Sequence, residues 1–462
     1  MLKIKYIVIS SAIAAVLVAT PLVISRCIDK KIEDNKVLLE KNGFKQEILS
    51  KSGYLSSVRT FNLEVVDALK ARDFLLDSLV ARNAQYKVFA QSIKMGTQSD
   101  IKEIFEGLKF RGEISNSNLI PISAKVNLTL DRLPYAAHTE LTKNKELGDI
   151  LLPMIAKGVL ALDMTFGSDE KLKDVKFKDI KENIKIENST LGLDMANQTL
   201  ILSENDGIVN GIIGVGKQEM TLKSDNSFLK SHLENFKYNF NYKDDFNNKG
   251  YLELGKYEFE LAEIYSNMKF ALGTIKANSS VEDIKKDVNI KADYKLANIV
   301  FNNETEDVKI DSLLLKLFLR GINIDTMKKA QSDYNAMALG VGTPDDKAII
   351  EDFVAFVNNG IKMDLGLGIQ GMSGTLALKD VTADTTFEIA KNTYNDKQSP
   401  LEILNLIEIS SKVKIHKDDQ KTLEAFNIAS PDELAYGIVE GDFFVYEIKM
   451  SKGAFTVNGK SL

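Results

Sequence analysis

"KMDLGLGIQGMSGTLALK", Lys362–Lys379, decides between two folds. Gly366, Gly368 and Gly371 carry the G-x-G-x-x-G spacing that lets a backbone approach a dinucleotide pyrophosphate. That use needs a strand before the glycines and a helix opening at the last of them. Here Met363, Leu365, Leu367 and Ile369 alternate with small or polar residues, and Met372, Leu376 and Leu378 resume the alternation one position out of phase. Period-two text on both sides of Gly371 predicts strand followed by strand, with a bulge or tight hairpin where the inward face changes. No cofactor site is expected here, and the glycines leave room for a covering helix or another backbone.

The same alternation spreads outward. In "FKYNFNYK", Phe236, Tyr238, Phe240 and Tyr242 share one face, while Lys237, Asn239, Asn241 and Lys243 share the other. It recurs in Tyr257/Phe259/Leu261, Met268/Phe270/Leu272, Ile290/Ala292/Tyr294/Leu296 and Phe444/Tyr446/Ile448/Met450. These are half-buried antiparallel strands. Asn205-Asp206-Gly207, Asn248-Lys249-Gly250 and Asn458-Gly459 supply the turn residues that hairpins need.

Helical text interrupts the strands. Ile101, Ile104, Phe105 and Leu108 have helical spacing, and "ELGDILLPMIAKGVLALDM" reads as a largely buried helix that Pro153 kinks or breaks. A further helix opens with Thr343 as N-cap and Pro344 as first residue, and Gly360 ends it. Its predicted buried face is Ile349, Ile350, Phe353, Phe356 and Val357. The fold class is therefore β-rich α+β, with long antiparallel sheets partly covered by helices.

Twenty uncharged residues, "YIVISSAIAAVLVATPLVIS", lie between Lys5 and Arg26. At about 1.5 Å per residue they span a hydrocarbon core of roughly 30 Å and predict a transmembrane helix. The competing readings are a cleaved signal peptide and a buried core helix. No A-x-A pattern lies in a suitable position at the end of the run, which closes Ile24, Ser25, Arg26, Cys27, and Arg26 is not the small residue expected before a lipidated cysteine, so an uncleaved anchor is favoured. Basic residues flank both ends, but the short Lys3/Lys5 tail suggests N-in, with the body outside the cytoplasm. The expected organisation is an anchor at 1–26, a juxtamembrane helical segment at 27–52, a first β-rich part at 53–330 and a second helix-plus-strand part at 331–462.

Composition narrows the function. Lys+Arg 59 against Asp+Glu 65, scattered along the chain, implies no broad basic surface, so nucleic acid is not an expected partner. A lone cysteine cannot form an internal disulfide or a multi-thiolate zinc site. His138, His232 and His416 lie far apart, with His416 read as surface polarity, and no metal site or cofactor is expected. The carboxylate pairs Asp244/Asp245, Asp345/Asp346 and Asp418/Asp419 read as turn and helix-start residues rather than acid and base. No catalytic residue is assigned, and a hydrolase built from scattered groups is the least favoured of three readings.

Two further stretches carry a resemblance. "SGYLSSVRTF" holds Gly53, Tyr54, Ser56 and Ser57, and "EGDFFVYEIKMSKGAFTVNGKSL" holds Gly441, Tyr446, Gly453, Asn458 and Gly459. Together they resemble the opening and closing motifs of the YdgA-like family of bacterial envelope proteins, which carry a domain of unknown function. The resemblance implies an inner-membrane anchor and a β-rich periplasmic body, with no settled activity. From the residues alone Asn458-Gly459 is a hairpin turn, and Gly53 with Tyr54 is a strand start. The leading expectation is a single-pass protein whose body binds a lipid or other hydrophobic ligand, or an envelope-protein partner. The alternative is a structural or interaction module without a small ligand.

Overall fold

Side chains that alternate along the chain can bury one side of a strand only if neighbouring strands keep step, and the ladders here do so. The computed structural model describes residues 28–52, 56–82, 87–94, 97–117, 123–167, 171–264, 266–329, 346–374, 377–395, 398, 400–425 and 435–461. The contacts divide the chain into two units: residues up to Ser203 with Ile212–Asp225, and Glu204–Gly211 with Asn226–Leu462. The expected anchor, and residues 330–345 near the expected internal boundary, lie outside the described residues. No helix among the described residues is long and apolar enough to cross a membrane.

The first unit begins with helix α1 (Ile28–Lys41) and strand β1 (Phe44–Ser52). The helical text therefore stops at Lys41, and 44–52 is strand rather than part of a helical juxtamembrane segment, because Asn42 and Gly43 turn the chain and Phe44 enters the core. An antiparallel meander follows through β2 (Ser56–Val65), β3 (Lys109–Ser117), β4 (Ser123–Arg132) and β5 (Ala161–Gly167). Next come β6 (Leu172–Phe177), β7 (Ile180–Ile186), β8 (Ser189–Asn205) and β9 (Ile208–Lys223), with β6 and β7 both paired to β8.

Helices α2 (Ala68–Arg82), α3 (Lys87–Lys94) and α4 (Gln98–Phe105) join β2 to β3. Helices α5 (Tyr135–Lys143) and α6 (Lys145–Ala156, with Pro153 inside it) join β4 to β5. Their apolar residues close over alternate residues of the sheet: Phe61 and Leu63 of β2, Ile114 of β3, Val126 and Leu128 of β4, and Met164 and Phe166 of β5. Each fully buried side chain of this size stabilises the fold by about 1.5–3 kcal/mol relative to exposure. Phe61 lies over Gly112 on the adjacent strand, where a Cβ would fall 2.2 Å from its ring. Ring over glycine fills a gap that glycine alone would leave in the sheet.

The second unit is built on longer strands: β10 (Ser227–Asp244), β11 (Asn247–Leu254), β12 (Lys256–Glu263), β13 (Ser266–Ile284), β14 (Asp287–Asn302) and β15 (Asp307–Asn323). β16 (Ile361–Ser373), β17 (Leu378–Ile389) and β18 (Ile407–His416) continue the antiparallel series, and β19 (Ile438–Glu440), β20 (Phe443–Ser451), β21 (Ala454–Val457) and β22 (Lys460–Ser461) end it. Helix α7 (Asp346–Asn359) precedes β16, and α8 (Gln420–Ala425) follows β18.

No helix opens at Gly371. The strand runs through it with φ +64°, and β17 returns antiparallel beside β16. The glycine stretch is strand and hairpin, as its alternation predicts.

Two further expectations change. Asn248-Lys249-Gly250 lies inside β11, and the turn comes earlier, at Asp245–Phe246. The Asp244 carboxylate makes that turn by accepting hydrogen bonds from the Phe246 N–H (2.9 Å) and Asn247 Nδ2 (3.0 Å). On α7 only part of the predicted buried face is buried. Val357 packs with Ile389 and Tyr394 and Phe356 joins Phe246 and Ile322, whereas Ile349 and Phe353 stand 50% and 53% exposed.

Candidate functional site

The apolar side of "FKYNFNYK" borders a wide surface. Tyr238 stands opposite Leu252, Leu252 opposite Ala277, Ala277 opposite Tyr294 and Tyr294 opposite Leu315. The row continues through Leu367, Ala383 and Val413 to Tyr446. A flanking row includes Ala292, Leu317 and Leu365, and another Leu296, Leu313 and Ile369. Parallel rows of this kind arise when each strand is apolar at every second residue and all ladders hold one register.

This face is covered at its ends. Near α7, Phe356 packs with Val288, Ile290, Leu319 and Ile322. Near the C-terminal strands, Tyr436 and Leu423 close over Ile415, Val413 and Tyr446. Between these covers Tyr294 is 39% exposed and Leu367 is 44% exposed. Large apolar side chains in mid-sheet are ordinarily buried, so an open row of them is an unusual use of surface.

The opposite side is polar and paired. Lys276 Nζ lies 3.4 Å from Glu253, Lys362 Nζ lies 2.7 Å from Glu388, and Arg320 bonds Asp364 while stacking 4.4 Å above the Phe318 ring. The two faces differ as oil and water do.

The motif residues do not converge on a site. Gly53 and Tyr54 lie outside the described residues, and Ser56 and Ser57 begin β2, opposite Ser117 and Asn116. Gly441 (φ +59°) turns the chain from β19 to β20, while Lys452 (φ +50°) and Gly453 (φ +73°) form the two-residue turn from β20 to β21. Tyr446 is buried against Ile415 and Val457, and burial pushes its phenol up.

Asn458 (φ +48°) and Gly459 (φ +79°) make the last hairpin turn, as the Asn-Gly pair predicts. The Asn458 amide does more than tolerate the turn. Its Nδ2 donates to the Tyr436 carbonyl (2.6 Å) and the Val445 carbonyl (3.1 Å), and its Oδ1 accepts from the Glu447 N–H (2.8 Å).

Asp244, Asp245, Asp418 and Asp419 have structural partners. Asp245 accepts from the Tyr242 hydroxyl at 2.8 Å. Asp419 is buried and accepts the N–H groups of Lys379 (2.7 Å) and Asp380 (3.0 Å), fastening β17 to the turn after β18. Asp418 pairs with the Lys379 ammonium, whose hydrogen bond and charge hold its carboxyl below the usual range. Asp345 lies outside the described residues.

His416 accepts the Asp418 N–H at Nδ1 (3.2 Å) and meets the Phe443 ring edge-on, so it caps a turn rather than simply facing water. His232 is buried with Nε2 2.9 Å from Glu234, and Arg59 is buried with Nη1 3.1 Å from Asn116 Oδ1. His232 and Glu234 share a face of β10 at i and i+2, whereas Arg59 and Asn116, 57 residues apart, are brought together only by the pairing of β2 with β3. Among the described residues no group of His, Cys, Asp and Glu is arranged to hold a metal ion.

No family model, curated protein or solved structure matches the chain.

Proposed function

We propose that the chain is a single-pass, N-in envelope protein whose body, on the periplasmic side of a bacterial inner membrane, holds a hydrophobic ligand on the open apolar face of its second unit. The observation that carries this reading is the Tyr294–Leu315–Leu367 row, half open to solvent in the middle of a sheet. An apolar chain laid there would remove it from water at about 25 cal/mol per Å² of apolar surface covered. The uncharged run 6–25 supports an anchor that would hold this face near lipid, and the motifs at Gly53–Ser57 and Gly441–Gly459 support kinship with the YdgA-like family. The reading requires no catalytic group, metal or cofactor.

Photocrosslinking in intact cells tests it. A photoreactive residue at position 367 or 294 should yield an adduct of lipid mass, and one at Lys295, on the opposite face, should not. Protein adducts alone at 367 and 294 would replace the lipid reading.

Docking of a protein partner is the second reading, favoured by Ile349, Ile350 and Phe353 exposed together on α7. Under it, the dominant adduct is a discrete protein band from position 353, with no lipid adduct from position 367.

A further inference from the structure

The long strands of the second unit each change phase at one residue, and these residues align. On β10, Leu229 and Leu233 hold odd positions, while Phe236 and Tyr238 hold even ones. β14 passes from Tyr294 and Leu296 to Ile299 and Phe301, and β16 from Leu367 and Ile369 to Met372. Asn235, Asn298 and Gly371 at these breaks have φ of 54°, 54° and 64°.

One left-handed residue within a strand ordinarily makes a bulge and a step in register. Here the step cancels, because the neighbouring strand breaks at the same level. Leu272↔Ile299 and Thr274↔Ala297 bracket Gly273 and Asn298, while Ser312↔Gln370 and Ile310↔Met372 bracket Asp311 and Gly371.

Three of these crossings in the second unit also need one residue without a side chain, whereas Asn298 and Asp311 face each other between β14 and β15 with side chains on both. A Cβ on Gly273 would stand 2.7 Å from the Asn298 Cβ, one on Gly255 2.9 Å from the Asn235 Cβ, and one on Gly371 2.8 Å from the Asp311 Cβ. The first unit repeats the device, with Asn197 at φ 56° and a Cβ on Gly216 falling 2.8 Å from the Asn197 Cβ.

The result is visible in packing. Met372 and Leu378, on one side of the line, share a cluster with Val381 and Ile415 on the other. Had the alternation run on unbroken, these pairs would face opposite ways.

We infer that the line of Asn–Gly and Asp–Gly crossings positions the apolar face, turning two panels of opposite phase to the same side so that one ligand meets a continuous surface. Asn298 and Gly273 are positioning residues for that surface. The binding part of this inference rests on the hydrophobic-ligand reading, and the facing part does not.

The experiment uses the full chain in a Cys27→Ser background, with an environment-sensitive fluorophore placed by Leu296→Cys, Ile299→Cys or Lys295→Cys. Labels at 296 and 299 should both show blue-shifted, apolar emission and the label at 295 should not; opposite emission from 296 and 299 overturns the inference. Added Asn298→Gly should preserve this pattern and the lipid adduct at position 367, since glycine accepts the left-handed backbone.

Asn298→Val should abolish both, and retention of both overturns the inference. If Asn298→Val does not fold, Gly273→Ala decides: its loss of the adduct should be partly restored by Asn298→Gly, which removes the 2.7 Å contact, and no restoration overturns the inference. Absence of any adduct in the parent protein defeats the ligand reading, while the 296/299 comparison still decides the facing of the panels.

Discussion

Asn458 ties three parts of the chain together with one side chain: the β21–β22 turn, the Glu447 stretch of β20 and the Tyr436 carbonyl. Asn458→Ala loses the amide and places alanine at positive φ, so it should cost about 2–4 kcal/mol from hydrogen bonds and backbone strain together. Asn458→Gly keeps the backbone freedom and should cost less; urea denaturation of the two variants separates the contributions. Asp67 is the N-cap of α2, accepting the Lys70 N–H at 3.1 Å, and that hydrogen bond holds its carboxyl below the ordinary value. The stabilisation from Asp67 is thus present above the ordinary carboxylate range and lost as the pH falls through the depressed folded-state value. Asp67→Ala should lower stability by about 1 kcal/mol at neutral pH. Asp67→Asn should retain most of the cap and flatten the acid limb of a stability–pH profile.

Elements were legible where both faces of a segment are written in the text. "FKYNFNYK" shows its apolar and polar sides at once, and the structure makes it part of β10. The Asp245–Phe246 turn was not legible, because an aspartate side chain closes it while glycine further on suggests a different place. Helix α7 shows a subtler limit. Its apolar residues have helical spacing, but spacing cannot say how much of the face finds a cover, and only the Phe356/Val357 side does. Val357→Ala should therefore cost about 2 kcal/mol in chemical denaturation. Ile350→Lys, at a residue already 47% exposed, should stay within about 0.5 kcal/mol of the parent. The phase breaks were partly legible: the change around Gly371 can be read from its own strand. That Asn298 and Gly273 break at the same level needs the ladder register, which no single segment contains.

At the scale of the whole molecule, the open row makes the strongest demand. Leu367→Asp places a charge in the middle of the apolar face but not in a buried core, so ligand adducts from position 294 should fall while the denaturation midpoint stays near that of the parent. Topology is checked separately: a reporter that works only outside the cytoplasm, fused after Leu462, should be active, and a stable but silent fusion would overturn the proposed orientation. The meander itself has a kinetic meaning. From β13 to β15 each strand pairs with the one that follows it across a short turn, Ile284 meeting Asp287 and Asn302 meeting Asp307. Closing such loops costs little chain entropy, so the sheet can grow by adding one finished hairpin arm at a time as the polypeptide is made. Until the next arm arrives, however, every intermediate ends in a long strand with an unpaired edge and a bare apolar side. Such nascent sheets are prone to stick to one another. The same chain length that widens the face therefore prolongs the interval in which the protein needs protection from its own copies.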